Sequence, residues 1–228
     1  MIITKWDNLP DNMQNEEVKK YYDIIKGKKG SLILKRLFDI LASLILLIIL
    51  SPLFIIFSIM IKLDSKGPIM FKQNRVTENE RIFKIFKFRT MVENADKNGS
   101  QVTVENDNRV TKIGKFLRKF RLDEIPQLIN ILIGDMSFVG TRPEVPKYVE
   151  LYTDEMKATL LMKAGVTSLA SIKFKDEEKL LQMDGNIDKI YIENILPQKM
   201  QYNLEYLKRF NFFYDIKLMF MTLFAVIK

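Results

Sequence analysis

Residues 37–61 read LFDILASLILLIILSPLFIIFSIMI, an apolar run in which no charged residue follows Asp39. At about 1.5 Å per residue, a helix of this length covers the roughly 30 Å hydrocarbon layer of a bilayer. The run therefore predicts a membrane helix. A buried core helix of a soluble protein is the alternative.

Two features favour a helix that enters the bilayer and returns over one that crosses it. Ser51 and Pro52 lie in the middle of the run, where proline removes a backbone donor and bends a helix. Both flanks are basic: Lys28, Lys29, Lys35 and Arg36 precede the run, and Lys62, Lys66, Lys72 and Arg75 follow it. Lys and Arg collect on the cytoplasmic side, so equal flanks predict that both ends lie there. A kinked spanning helix is the competing interpretation.

The residues that open the run are Lys35, Arg36 and Asp39. Long cationic side chains beside an apolar helix commonly reach the lipid headgroups. We therefore expect Lys35 and Arg36 to be surface anchors, with substrate contact as the second possibility.

The composition limits the chemistry that the chain can perform. The 228 residues carry a net charge of +8 and include neither Cys nor His. Thiol and imidazole catalysis are excluded, so any catalysis must use carboxylates, hydroxyls, Lys or Arg. A metal would have oxygen ligands, which suit Mg²⁺ or Mn²⁺. The positive charge fits an anionic partner, whether a phosphate substrate, an anionic lipid or nucleic acid.

A β-hairpin is predicted after Gly67-Pro68. Residues 69–76 and 81–88 are apolar and aromatic, and the polar turn 77–80 joins them. Cations alternate with aromatic rings from Arg81 to Arg89, a pattern that could bind nucleic acid. A strand against a core or a membrane surface is the favoured interpretation.

An acidic pair lies in the motif LDEIPQL at residues 122–128. Pro126 suits the first turn of a helix and Asp123 is a natural N-cap, so a helix is predicted to start here and to stop near Gly134. Adjacent helical residues point about 100° apart, so Asp123 and Glu124 could serve two roles at one site. On these residues alone, a helix cap with a second acid near the helix dipole is the simpler interpretation.

Further segments follow this motif. Arg142 lies in a loop between glycine and proline, and its guanidinium suits bidentate phosphate binding. A solvated loop arginine is the alternative interpretation. Residues 145–161 predict an amphipathic helix, 176–181 a short helix and 191–208 a longer one. Residues 210–228 predict a helix in the plane of the membrane interface, with a core-packed terminal helix as the alternative.

Together these motifs resemble the bacterial sugar transferases, small monotopic phosphoglycosyl transferases that load a sugar-1-phosphate onto a polyprenol phosphate. The similarity runs in order over residues 35–228 and is carried by Lys35-Arg36 with Asp39, Ser51-Pro52, Gly67-Pro68, KFRTM at 87–91, Arg118, LDEIPQL at 122–128 and GDMSFVG at 134–140. It implies a compact α/β domain with a re-entrant helix broken at Ser51-Pro52, a small β-hairpin and interfacial amphipathic helices. The expected domains are a polar amino-terminal appendage (1–34), the re-entrant membrane helix (35–66) and a catalytic domain on the cytoplasmic face of the bacterial inner membrane (67–228).

The resemblance also implies the roles of single residues. Asp123 would attack the sugar-bearing phosphate of a UDP-sugar and expel UMP, and polyprenol phosphate would then displace the aspartate. Glu124, together with Asp123, would hold the required Mg²⁺. Substrate binding is expected of the following residues: Arg118, Arg142, Pro143, Lys87 and Arg89. Thr141 stands where the family usually has proline, which leaves the role of Arg142 open.

The expected partners are a UDP-sugar, polyprenol phosphate and the bilayer, in the first membrane step of a surface glycan pathway; nucleic acid is not expected, and a homodimer is compatible with the pattern. The competing function is a basic membrane-associated module that binds lipid or nucleotide sugar without transferring anything.

Overall fold

A computed structural model describes residues 3–93, 95, 107–174 and 187–227 of the chain. Helix α1, Glu16–Lys26, is followed by the long helix α2, Lys29–Asp64. Helix α2 contains the apolar run and is long and apolar enough to cross a membrane by length and composition. The prediction of one long apolar helix, compatible with membrane association, is therefore confirmed.

Ser51 and Pro52 lie inside α2, which continues on both sides of them. Pro52 has no N–H, so the carbonyl of Ile48, four residues earlier, loses its usual helical donor. The Ser51 hydroxyl donates to that carbonyl oxygen over 2.8 Å. The serine thus satisfies the polar group that the proline leaves unpaired, which matters most in apolar surroundings.

Buried charges bind the amino-terminal part of α2 to the rest of the protein. Lys35 is 3% exposed, and its ammonium donates to the Val139 carbonyl and to the Asp215 carboxylate, each over 2.6 Å. Asp39 is also buried and accepts from the hydroxyl of Ser137 and from the N–H of the next residue, each over 3.1 Å. The expectation that Lys35 is a headgroup anchor is therefore wrong, because its charge is neutralised inside the protein.

The neighbouring Arg36 also makes hydrogen bonds within the folded protein. Its guanidinium donates to the carbonyls of Ile131 and Leu132 over 2.7 and 3.0 Å. These carbonyls lie at the end of helix α4, Gln127–Ile133. The Ile131 carbonyl also accepts the N–H of Gly134, whereas among the described residues no backbone N–H donates to the Leu132 carbonyl. Arg36 therefore caps α4 instead of serving as the expected headgroup anchor.

The carboxyl-terminal end of α2 is bound to the same folded unit. The Asp64 carboxylate accepts the N–H of Ile113 over 3.0 Å. Arg89 donates to the carbonyls of Ile61 and Ser65 over 3.3 and 2.7 Å. Ile61 lies in the last turn of α2 and Ser65 follows the helix. The Ile61 carbonyl also accepts the N–H of Ser65, so Arg89 adds a side-chain donor to this helix end and caps it.

Between its two ends, α2 has one packed face and one exposed apolar face. Leu46, Leu47 and Leu50 pack against a core cluster around Phe83 and Ile131. The large exposed apolar side chains of α2 are those of Ile33, Leu34, Leu37, Leu41, Leu44, Ile45, Ile48, Ile49, Ile55, Ile56, Ile59 and Leu63. A continuous apolar surface of this kind marks a contact with lipid or protein, not with water.

The strands form two small sheets. Strands β1, Met70–Val76, and β2, Ile82–Phe88, pair antiparallel around the turn Glu78–Glu80, so the predicted hairpin is confirmed. Strands β3, Met136–Val139, and β4, Ala164–Thr167, pair in parallel.

The connection from β3 to β4 contains helix α5, Pro146–Val149, and the 3₁₀ turn Met156–Leu161. The predicted single helix over 145–161 is therefore wrong. Thr153 interrupts it, because its hydroxyl accepts the N–H of Met156 and starts a new turn.

The remaining helices pack around these strands. They are α3, Lys112–Lys119, α6, Leu169–Lys173, α7, Ile187–Ile190, α8, Leu196–Arg209, and α9, Phe212–Ile227, with a π-helical turn, Tyr191–Ile195, between α7 and α8. Helix α9 buries Asp215 and Leu218 and exposes Phe213 and Phe224. The predicted helix over 176–181 lies outside the described residues.

The amino-terminal segment contributes to the main core. Its buried side chains are those of Ile3, Leu9, Met13, Val18, Tyr21, Tyr22 and Ile25. The Tyr21 hydroxyl donates to Glu155 over 2.6 Å. Residues 3–26, expected to form a polar appendage, thus pack against the carboxyl-terminal half of the chain.

Candidate active site

The Asp123-Glu124 pair lies in a tight turn between α3 and α4. Arg121, with a left-handed φ of 53°, leads into the 3₁₀ turn Leu122–Glu124. Helix α4 begins only at Gln127 and ends before Gly134, whose φ is 93°. The predicted end at Gly134 is confirmed. The predicted cap is wrong, because the helix starts later and its N-cap residue is Pro126, which makes no side-chain capping hydrogen bond.

Glu124 is the centre of a cluster of charges. Lys87, from β2, donates to its Oε1 over 2.8 Å. Arg142, from the loop after β3, donates to both carboxylate oxygens. Burial by itself raises the pKa of Glu124, but Arg142 and Lys87 outweigh burial and hold that pKa well below its usual range. Glu124 is therefore ionised and held in one orientation.

Asp123 has a different environment. It is 9% exposed and, among the described residues, its carboxylate accepts no hydrogen bond. Burial raises its pKa, and the charge of Glu124 adds to that effect, while Lys87 and Arg118 oppose it. A more basic carboxylate that is not engaged by donors is a better nucleophile than a carboxylate held by two cations.

Arg118 reaches this region from α3. Its Nε donates to the Thr90 hydroxyl over 3.0 Å, and its charge lowers the pKa of Asp123. Helix α3 approaches closely because of Gly114, where an added Cβ would lie 2.0 Å from the carbonyl oxygen of Thr90. Sequence reasoning identified Arg118 but gave no role to Thr90, although Thr90 lies within the KFRTM motif at 87–91.

The three residues Lys87-Phe88-Arg89 have three separate contacts. Lys87 binds Glu124, and Phe88 is buried against Phe57 of α2, with ring centroids 5.9 Å apart. Arg89 makes its hydrogen bonds at the end of α2, so the structure does not bring it to the acidic pair. One strand therefore ties the candidate site to the apolar helix.

The loop that carries Arg142 packs directly on the backbone of β4. An added Cβ at Gly140 would lie 2.4 Å from the Lys163 carbonyl oxygen. Pro143, the other predicted binding residue of this loop, is buried, and its carbonyl accepts from Arg75 over 3.0 Å. Pro143 thus shapes the loop, while Arg142 reaches the acidic pair.

Asp123 and Glu124 supply the oxygen ligands that Mg²⁺ prefers. Within the described parts of the chain, no group of three or more acidic residues could hold a metal ion. Mg²⁺ usually binds one or two carboxylates together with phosphate oxygens and water. The pair has the ligand chemistry for Mg²⁺ together with a phosphate-bearing ligand, and a metal at Glu124 would share or displace the hydrogen bonds from Lys87 and Arg142.

Several curated proteins are similar in sequence to most of this chain. A UDP-N-acetylgalactosamine-undecaprenyl-phosphate N-acetylgalactosaminephosphotransferase of Aeromonas hydrophila is 35% identical over 193 residues, which cover 83% of this chain and 43% of the relative. A UDP-glucose:undecaprenyl-phosphate glucose-1-phosphate transferase of Escherichia coli (strain K12) is 36% identical over 197 residues, or 84% of this chain and 40% of the relative. An undecaprenyl-phosphate galactose phosphotransferase of Salmonella typhimurium is 33% identical over 217 residues, or 89% and 42%.

The chain spans less than half the length of these three relatives. Their names agree on the undecaprenyl-phosphate substrate and differ in the sugar. The family model described as Bacterial sugar transferase matches residues 30–228, a range that includes all but the first residue of α2, the hairpin and the acidic pair. The chain therefore belongs to the bacterial sugar transferase family.

Proposed function

We propose that this protein transfers a sugar-1-phosphate from a UDP-sugar to a polyprenol phosphate, such as undecaprenyl phosphate, and releases UMP. The observation that carries the proposal is the difference between two adjacent carboxylates. Two cations hold Glu124, whereas Asp123 accepts no hydrogen bond from the described residues. One acid is thus suited to holding position and the other to attack.

In the first step, a carboxylate oxygen of Asp123 forms a bond to the phosphorus that bears the sugar. The bond between this phosphorus and the bridging oxygen of the diphosphate breaks, and that oxygen leaves with UMP. An ionised carboxylate needs no base, so a chain without His can perform the step. Arg118 and Lys87 reduce the repulsion between the carboxylate and the anionic diphosphate. Mg²⁺, when held by Asp123 and Glu124, would neutralise further phosphate charge.

In the second step, an oxygen of the polyprenol phosphate attacks the same phosphorus and Asp123 leaves as a carboxylate. The product is a polyprenyl diphosphate sugar. The acceptor phosphate lies at the level of the lipid headgroups, so the site must be held at that level. The exposed apolar faces of α2 and α9 are suited to this task.

We further propose that α2 enters and leaves the membrane on the same, cytoplasmic side. About 30 residues separate Lys35 from Ser65, which is about 45 Å in a straight helix. Both ends nevertheless bind the same folded unit, through Lys35 to Val139 and through Arg89 to Ser65. A helix that crossed the bilayer would place one of these ends on the far side and break its contacts.

The reaction is tested by following UMP release and the transfer of radiolabel into a lipid extract from a panel of UDP-sugars, with and without Mg²⁺. We expect Mg²⁺-dependent transfer for at least one sugar and its loss in Asp123→Asn. The matched control is Asp154→Asn, because Asp154 is an exposed surface carboxylate whose side chain is 66% exposed. A variant Asp123→Asn that keeps most of its rate would exclude covalent catalysis by this residue. Binding of UDP-sugar without any UMP release would support the binding-module alternative.

The arrangement of α2 is tested with single cysteines, since the chain contains none of its own. Lys29 and Lys66 are exposed near the two ends of the helix. Both Lys29→Cys and Lys66→Cys should resist a membrane-impermeant maleimide in spheroplasts and react after lysis. Labelling of only one position in intact spheroplasts would show that the helix crosses the membrane.

A further inference from the structure

A second buried cluster of charges lies behind the loop that carries Arg142. Glu144 is 6% exposed, and its Oε1 accepts from the Tyr191 hydroxyl over 2.5 Å and from Lys199 over 3.2 Å. Lys199 also donates to the Tyr191 hydroxyl over 2.8 Å. Arg75 lies on the other side of Glu144, with Nη1 4.0 Å from its Oε2. None of these four residues takes part in the proposed chemistry.

The π-helical turn explains how two residues of one helical segment reach the same carboxylate. Tyr191 and Lys199 are eight residues apart, and in a regular α-helix they would point about 80° apart. The turn Tyr191–Ile195 is π-helical and absorbs about one extra residue, which brings the two side chains to about 20° of each other. Pro197 follows within one turn and cannot donate to the carbonyl four residues earlier, which favours the wider turn.

Three further hydrogen bonds hold the loop, one of them donated by Arg75 of the cluster and two by the backbone of neighbouring strands. The Glu144 carbonyl accepts the N–H of Val76 over 3.0 Å, and the Pro143 carbonyl accepts from Arg75. On the other side, the Thr141 carbonyl accepts the N–H of Gly165 over 2.9 Å. The loop is thus fixed on both sides of Arg142, whose own guanidinium binds Glu124.

We propose that Glu144 is a positioning residue for Arg142: its buried carboxylate, bound by Tyr191 and Lys199, fixes the loop that holds the guanidinium of Arg142 against Glu124. This inference rests on the proposed function. A buried carboxylate with fixed donors has one low-energy position, so the backbone that carries it is fixed as well.

The test is a double-mutant cycle in which kcat/KM for the accepted UDP-sugar is measured for wild type, Glu144→Gln, Arg142→Ala and the double variant. We expect Glu144→Gln to lower kcat/KM about tenfold to a hundredfold, as displacement of a binding group does. In the Arg142→Ala background the same change should alter kcat/KM by less than about twofold. Glu193→Gln is the control, because Glu193 lies in the same π-helical turn and its side chain is 59% exposed.

An equal loss in both backgrounds would overturn the inference, as would an unchanged rate in Glu144→Gln. If Glu144→Gln does not fold, Tyr191→Phe replaces it in the cycle, since it removes one hydrogen bond from Glu144 and keeps the ring. Should wild type release UMP from no UDP-sugar, the proposed function fails by itself. The Kd of UDP is then measured for the same four proteins. Non-additive losses of UDP affinity support the inference, and additive losses overturn it.

Discussion

The buried pair Lys35–Asp215 allows a quantitative test of how α2 is attached. The Lys35 ammonium and the Asp215 carboxylate are 2.6 Å apart, and their side chains are 3% and 5% exposed. Asp215 also accepts from the Tyr206 hydroxyl over 2.9 Å. The change Lys35→Met keeps an unbranched apolar side chain, one atom shorter, and removes the charge.

The expected loss of stability in Lys35→Met follows from the burial of the Lys35–Asp215 pair. Removing one partner of a buried ion pair costs about 3–5 kcal/mol, because the other charge is left without compensation. For a protein of this size, about 2–4 °C per kcal/mol gives a drop in the unfolding midpoint of roughly 6–20 °C. Burial already raises the pKa of Asp215 and Lys35 opposes that rise. Without Lys35 the pKa rises further, so the loss should be largest at neutral pH and shrink as the pH falls and Asp215 becomes protonated.

The assay is thermal unfolding in detergent micelles, followed by the fluorescence of Trp6. This is the only tryptophan, and its ring lies 5.1 Å from that of Tyr22 in the folded core. Lys62→Met is the control, because Lys62 is exposed in the same helix. A Lys35→Met midpoint no lower than that of the control would refute the buried pair. The double variant Lys35→Met/Asp215→Asn should recover most of the loss, since it removes both charges.

Four other variants test separate parts of the structure through the same unfolding midpoint. Gly114→Ala should destabilise the protein by about 1–3 kcal/mol, because the added Cβ would meet the Thr90 carbonyl oxygen at 2.0 Å. Gly30→Ala, where the added Cβ meets open space, should stabilise it by about 0.5–1 kcal/mol. Equal shifts of the midpoint in the two variants would contradict the close approach at Gly114. Thr141→Val should stabilise by about 1 kcal/mol, because the buried Thr141 hydroxyl has no partner among the described residues; a loss would show that the hydroxyl is used. Glu124 has a lowered pKa, so its contribution to stability is present above about pH 4.5 and is lost as the pH falls through the folded pKa. Glu124→Gln should therefore lose less stability on acidification than the wild type. An unchanged pH dependence of the midpoint would count against the cationic partners of Glu124.

Local patterns were sufficient for the elements that depend on local physics. The apolar run predicted α2, the alternation around Thr77–Glu80 predicted the hairpin, and Gly134 predicted the end of α4, because each depends on residues a few positions apart. The absence of Cys and His, a matter of composition alone, limited the chemistry to carboxylates, hydroxyls and cations. Family motifs then selected Asp123 and Glu124 from the acidic residues.

Only the tertiary structure decided what the charged residues contact. Lys35 was expected at the headgroups, yet it is buried because Asp215, 180 positions later, supplies the compensating charge. The cap expected at Asp123 was wrong, because the chain turns before the helix starts and two distant cations bind its neighbour Glu124 instead. Whether a charge is solvated or buried depends on partners that folding brings together, and local sequence contains no record of those partners.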